Sequence, residues 1–419
     1  MMQRVCLAII CAFLLLSVSF SGQAAKGKKT YAMSLPVFKA VESINQLVDE
    51  ENEQEALSVL EETLNRSRLS RYEQAQLWYL KGTILYRTKG EAASMPAFSQ
   101  VLEYEGGIPV FLHMRVLKTL MQLNMVQENY VAARDLGAKL VEVAEVPSSD
   151  DWALLAQANY KLGDWNAALS GVFKAREIDQ LAGNIPKENL LLLQNAVYFE
   201  LKQLDNMIET LVLLIKHYPK STYILYLASI YGQNDRLDKQ TVLMESLYEA
   251  GKLKESSQLL NLASLYMSEK VPIKAAQLIE QELSSGRLKE TQRNFEMLSQ
   301  AWRLAAEVDE SMVALERAAS MAEDGELYMR LAYMHYDVAQ WREAETVART
   351  ALDKGLDPEH LGEAWLLIGM TRYNVNAFDS AIQACEKAAQ HSKSRDLAQR
   401  WISYISKEQE KYKAMRGES

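Results

Sequence analysis

A helical hairpin recurs along this chain at intervals in the mid-thirties of residues, and a period of that kind restricts the fold more than any other feature of the sequence. Its clearest copy is Trp152 to Ala175, WALLAQANYKLGDWNAALSGVFKA. Pattern residues fall at Trp152, Leu155, Ala156 and Asn159/Tyr160, then at Ala168, Val172 and Ala175, with Gly163-Asp164 between the two runs. That spacing predicts two helices joined by a turn. Ala156 and Ala168 are small enough to let the helix backbones approach while larger residues fill the flanks. Such a hairpin cannot bury its apolar face alone, so it needs neighbours like itself.

The neighbours are marked by the residue that opens each second helix: Ala56, Ser94, Ala133, Ala168, Met207, Gln240, Ala275, Ser311, Ala344 and Ala381. The gaps between them are 38, 39, 35, 39, 33, 35, 36, 33 and 37 residues. Met207 and Gln240 break the small-residue rule and are placed by register, so the count is about ten. Pro109, Pro147, Pro186 and Pro358 fall in the links between units, where proline stops one helix and starts the next. After the last unit, Arg395 to Met415 reads as one more helix with Leu397, Trp401, Tyr404 and Ile405 on one side, suited to cover the open end of a stack.

Trp365-Leu366-Leu367-Ile368-Gly369, followed by Phe378, Ala381 and Ala388, resembles the tetratricopeptide repeat pattern W-x2-L-G-x2-Y, A-x3-F and a further alanine. Trp152 to Ala175 matches it as well, and Pro219 stands where the family's closing proline belongs, after Tyr198, Leu211 and Leu214. The resemblance covers nearly all of the mature chain. It implies an all-α fold, a right-handed α-solenoid of about ten helix-turn-helix units with a C-terminal capping helix. The expected organisation is a signal peptide over 1–24, a flexible lead-in over 25–37, repeats over 38–393, and the capping helix and tail over 394–419.

Residues Met1 to Ala24 differ from everything after them: Arg4, an apolar run from Val5 to Leu16, then Gly22-Gln23-Ala24. This reads as a signal peptide cleaved near Ala24 and hence a periplasmic protein. An uncleaved membrane anchor is the alternative, although the run is shorter than the ~20 apolar residues of a spanning helix. Neither Cys6 nor Cys11 follows the small residue that precedes a lipidated cysteine. Removing the segment takes away Arg4 as its one charged residue, moving the net charge from −9 to −10. An acidic chain of this kind argues against nucleic acid as a main partner. Cys385 is then the one remaining cysteine, which rules out an internal disulfide or a cysteine-rich metal site. The segment KGKKTYAMS, Lys26 to Ser34, is a short basic lead-in.

No G-x-G-x-x-G, P-loop, H-E-x-x-H or G-x-S-x-G motif is present. His113, His217, His335, His360 and His391 are dispersed and offer no chelating i, i+4 pair. Cys385 lies one turn after Ala381 and suits a small buried apolar role rather than a reactive thiol. The acidic run at Asp49-Glu50-Glu51-Asn52-Glu53 suits a solvated turn and helix start. The reading is of a non-enzymatic chain with no cofactor or metal; an enzyme or small-molecule carrier with an unrecognised pocket is the contrasting class.

Function is therefore sought on the concave face, which in the tetratricopeptide family is lined by the first helix of each unit. The position after the family's consensus tyrosine holds Tyr160, Phe199, Gly232, Met267, Arg303, Tyr336 and Tyr373, and one turn earlier come Gln157, Tyr333 and Met370. Aromatic, sulfur and arginine side chains are what a peptide groove uses. The alternative is that tyrosine beside the consensus position simply packs on its neighbour. Gln157, Ala196 and Ser229 stand where family members that hold a C-terminal carboxylate would want Asn, so chaperone-tail binding is not expected.

Tyr226 to Glu290 narrows the likeness. Two E-x-G-x-L-K-E-like links (Glu249 to Glu255, and Ser284 to Glu290), the motif Pro272-x-Lys274-Ala275-Ala276, and Arg400-Trp401-Ile402-Ser403-Tyr404-Ile405 resemble exported repeat proteins associated with ExbB–ExbD–TonB energy-transducing systems. The resemblance implies a periplasmic scaffold that binds TonB/ExbB/ExbD-type inner-membrane components or outer-membrane transporters, touching the membrane only through them. A scaffold of another envelope pathway, such as outer-membrane assembly or cell-wall synthesis, is the alternative.

Overall fold

The computed structural model describes residues 31–66 and 68–415. The signal-peptide reading, with Cys6 and Cys11, and residues 25–30 of the lead-in lie outside the described residues. Within them the secondary structure is entirely helical, in 21 helices. The chain forms two compact units, the first ending at Thr210 and the second beginning at Leu211.

The first unit holds α1 (Leu35–Asp49), α2 (Glu53–Leu64), α3 (Arg71–Lys89), α4 (Glu91–Leu102), α5 (Val110–Val126) and α6 (Tyr130–Val143). It continues with α7 (Ser149–Lys161), α8 (Trp165–Leu181) and α9 (Glu188–Glu200), and α10 (Leu204–His217) carries the chain across the boundary. The second unit runs through α11 (Ser221–Gln233), α12 (Leu237–Glu249), α13 (Ser256–Ser268), α14 (Pro272–Ser284), α15 (Gln292–Leu304) and α16 (Val308–Met321). It ends with α17 (Glu326–Asp337), α18 (Trp341–Lys354), α19 (Leu361–Asn374), α20 (Phe378–Ala389) and α21 (Arg395–Met415). From α1 to α9 in the first unit, and from α11 to α21 in the second, helices adjacent in sequence pack on one another. This is the tetratricopeptide architecture the repeat pattern implies.

All ten marker residues fall at the fourth position of an even-numbered helix. The residue twelve positions earlier, from Ile44 and Gly82 through Ala156 and Asn195 to Ala332 and Gly369, is buried in every hairpin. These two positions form the contact between paired helices. Where both are alanine, as at Ala156 and Ala168, neither is exposed. The two exceptions are accommodated differently. Asn195 donates from Nδ2 to the Met207 carbonyl oxygen at 2.9 Å. Gln240 stays half-buried because its amide lies over Gly232, where a Cβ atom would come within 2.4 Å of Gln240 Oε1.

The turn inside each hairpin is also repeated. Glu51, Glu128, Gly163, Lys202, Asp235, Lys270, Ala306, Ala339 and Asn376, each five residues before its marker, have φ between 54° and 78°. Only one of these left-handed residues is glycine, the residue that adopts the conformation without steric cost. The α3/α4 hairpin departs from the rule and turns at Gly90, φ 84°.

Between hairpins, the two E-x-G-x-L-K-E-like links end α12 and α14. Gly251 and Gly286 take φ of 64° and 74°, and Leu253 and Leu288, two residues on, are buried in the core of the second unit. A left-handed glycine followed by an apolar plug is a standard way to stop a helix. In the first unit, the start of α3 is fixed by Glu73, whose carboxylate accepts four hydrogen bonds, from the backbone and hydroxyl of both Ser34 and Ser70. Burial opposes the charge, but these donors hold the Glu73 carboxyl down at about 2. Beside this arrangement α1 begins at Leu35, with Pro36 in its first turn and Val37 buried.

Helix α21 covers the last hairpin through Ala398 and Ile405, with Trp401, Ile402 and Tyr412 packed beside Phe378, Ala381 and Cys385. Leu397, expected on that face, is 43% exposed. Ala398, Trp401, Ile402 and Ile405 follow the 3.6-residue repeat of the buried stripe, and Leu397 sits one residue outside it.

Candidate functional site

No described helix is long and apolar enough to cross a membrane, and no group of three or more His, Cys, Asp or Glu among the described residues could hold a metal ion. Cys385 is fully buried against Gly369, and burial, with Glu386 nearby, pushes its thiol up to about 11. A thiol in that state is a packing group. His113 is 5% exposed with its proton affinity lowered by burial, whereas His360 is held protonated more strongly by Glu326, 2.8 Å away.

The expected groove residues divide into three kinds. The tyrosines directly after the consensus position pack across their own turns. Tyr160 meets Trp165 with ring centroids 5.2 Å apart, and Tyr336 meets Trp341 at 5.0 Å. Tyr373 contacts Phe378 at 6.0 Å, and α21 brings Trp401 to 5.9 Å and Tyr404 to 5.4 Å from the same ring. The Tyr373 and Tyr404 hydroxyls are 3.0 Å apart, a hydrogen bond that, with burial, raises the Tyr373 phenol to about 12. Met370 packs into this C-terminal aromatic cluster.

Phe199, at 61% exposure, and Arg303 project into solvent, and Gln157 is half-buried. Tyr333 remains 39% exposed, with burial and then Glu363 pushing its phenol up to about 12. Met267 and Gly232, each eight residues before its marker, are the members of the expected row that line a cleft. Gln157, Tyr160 and Phe199 belong to the first unit and Met267, Arg303, Tyr333, Tyr336, Met370 and Tyr373 to the second.

That cleft belongs to the second unit and follows its first helices. A space of about 600 Å³ opens along α13, α15 and α17, and one of about 510 Å³ along α11, α12 and α13, with Ser257 and Asn261 common to both. The lining repeats in register with the hairpins. Ser229, Ser264 and Gln300 stand eleven residues before their markers, and Asn261, Met297 and Arg330 stand fourteen before theirs.

Arg330 Nη1 pairs with Glu296 Oε2 at 3.2 Å, which fixes one wall. The exposed Asn261 amide and Arg293 guanidinium form no hydrogen bond to another described residue. Short hydroxyls, uncommitted amides, thioethers and the free Arg293 guanidinium suit an extended peptide. Amides pair with its backbone, while methionines adapt to its side chains.

Sequence reasoning missed Asn261, Arg293 and Met297. Asn261 and Met297 had a signal in the register, since each stands fourteen residues before its marker, whereas Arg293 stands eighteen before its own, one turn nearer the start of α15. The motifs behind the closer resemblance have architectural work, since the E-x-G-x-L-K-E links stop helices and Trp401 and Ile405 seat the cap.

No protein-family model and no curated protein matches this chain. Among solved structures, it is similar to the MamA protein at 15% identity and a TM-score of 0.34, covering 42% of this chain and 93% of that one. It is similar to YrrB, described as a TPR protein with an unusual peptide-binding site, at 16% identity and a TM-score of 0.34, covering 46% and 97%. A tetratricopeptide repeat protein from Parabacteroides merdae aligns over 70% of this chain and 99% of its own, at 13% identity and a TM-score of 0.25.

Proposed function

We propose that this protein is a non-enzymatic scaffold that holds an extended segment of a partner protein along the first-helix cleft of its second unit. The observation that carries the reading is the shared lining of the two spaces at Ser257 and Asn261, where unpaired polar groups recur from one hairpin to the next. A repeating row of this kind matches a ligand that is itself periodic, such as a peptide backbone. We further propose that the chain is exported to the periplasm and serves an ExbB–ExbD–TonB-type system, on the strength of the leader-like Met1 to Ala24 and the resemblance of Tyr226 to Glu290.

The test is co-purification of the tagged full-length protein from the native envelope, with and without Asn261→Ala/Arg293→Ala. Recovery of TonB, ExbB, ExbD or an outer-membrane transporter, lost in the double variant, is the expected result. A partner from another envelope pathway, lost in the same variant, would overturn the Ton assignment and keep the cleft. A partner retained by the variant would overturn the cleft. Tyr336→Ala and Tyr373→Ala are expected to lower thermal stability and leave partner recovery unchanged, because those rings pack on their own hairpins.

A further inference from the structure

A second recess in the same unit lies among the second helices α14 and α16, apart from the first-helix cleft. Its volume is about 400 Å³, within the ~300–1,000 Å³ of ligand clefts, and it is floored by Leu283, Phe295, Leu298 and Trp302. Each of these four is less than 10% exposed, while Val313 stands on the rim at 64% exposure. The rim is strongly acidic. Glu280 from α14, Glu290 from the following link, and Asp309 and Glu310 from the first turn of α16 surround the apolar floor, with Arg317 as the one lining cation. None of these four carboxylates has an ion-pair partner among the described residues. An apolar floor under an uncompensated negative rim is complementary to a large apolar side chain flanked by lysine or arginine.

We propose that this recess docks a basic segment of a partner protein, one or two Leu- or Phe-sized side chains entering it while flanking cations meet the carboxylates. The recess is too small for a helix laid lengthwise, so the anchor is a short motif. It shares no lining residue with the first-helix cleft, although α15 contributes side chains to both.

The full-length protein is titrated with fluorescein-labelled Lys-Lys-Leu-Phe-Lys-Lys, and with two controls in which Ser-Ser replaces Leu-Phe or glutamates replace the lysines. Binding of the first at least tenfold tighter than either control is expected, weakening as salt is raised. Glu280→Gln/Glu310→Gln and, separately, Val313→Asp are each expected to reduce it at least fivefold with the thermal midpoint unchanged, since all three side chains are exposed. Asn261→Ala/Arg293→Ala is expected to leave it intact, which separates this site from the cleft. Equal binding of the Ser-Ser peptide, indifference to the rim variants, or no binding overturns the proposal. So does a concentration-dependent dimer dissociated by the same variants, which would assign the recess to a second copy of this chain.

Discussion

Hairpins α7/α8 in the first unit and α11/α12 in the second share the same left-handed turn position and the same buried position twelve residues before the marker, yet they bring their helices together by different means. In α7/α8, Ala156 meets Ala168, and Tyr160 is free to stack on Trp165. In α11/α12, Ala228 keeps the small position, the marker is Gln240, and Gly232 supplies the missing space. The register of a hairpin is thus set by its turn and by the first-helix contact, while the bulk at the marker is negotiable if a residue eight positions earlier gives way.

Moving one solution into the other hairpin is the strongest way to break this comparison. Ala168→Gln is expected to destabilise the first unit by about 3 kcal/mol, the upper end of overpacking costs, because Tyr160 occupies the space that Gly232 leaves open. Tyr160→Gly added to it is expected to cost less than the sum of the single changes by at least about 0.5 kcal/mol, in urea unfolding of the double-mutant cycle.

A smaller effect tests how hairpins are tied together. In the first unit, the seam between the start of α1 and α3 rests on ionised Glu73, whereas in the second unit Tyr248 Oη donates to the fully buried Glu282 at 2.6 Å, across from α12 to α14. The folded-state pKa of Glu73 is about 2, against an ordinary 4.5. A depressed pKa contributes stability that is present above pH 4.5 and lost as pH falls toward 2. The urea midpoint of the parent protein is therefore expected to drop more steeply over that window than that of Glu73→Gln.

The turns give the next effect. Ala306→Gly and Ala339→Gly are each expected to stabilise by about 0.5–1 kcal/mol, and Gly163→Ala to destabilise by a similar amount, read as opposite shifts in thermal midpoint. The smallest change is Gly232→Ala. The Gln240 amide can swing aside, and the alanine gains about 1 kcal/mol of helix propensity, so a net effect within about 0.5 kcal/mol is expected.

Much of this architecture was legible because its signal is periodic. Met207 and Gln240 were located by spacing alone, and both stand at the fourth position of their helices as Ala168 does. The turns were not legible, since Glu51, Lys202 or Ala306 carry no compositional mark of a left-handed backbone; the turn imposes it. The candidate site was half-legible. The family register pointed to the first helices and to Met267, but the five-residue spacing of Tyr160 with Trp165, repeated at Tyr336 with Trp341 and Tyr373 with Phe378, was written in the sequence as plainly as the groove and had the opposite meaning. Leu397 shows the same difficulty at the cap, where a one-residue shift decides which side of a helix is wetted.

The contact between Tyr373 and α21 has a consequence for anything that lies along the second unit. Tyr404 engages the ring and hydroxyl of Tyr373, so the last first-helix surface is occupied from within the chain. The row of first helices is therefore closed at its C-terminal limit. A partner segment held along that row, as proposed above, would meet a fixed terminus there, which gives the proposed track a polarity.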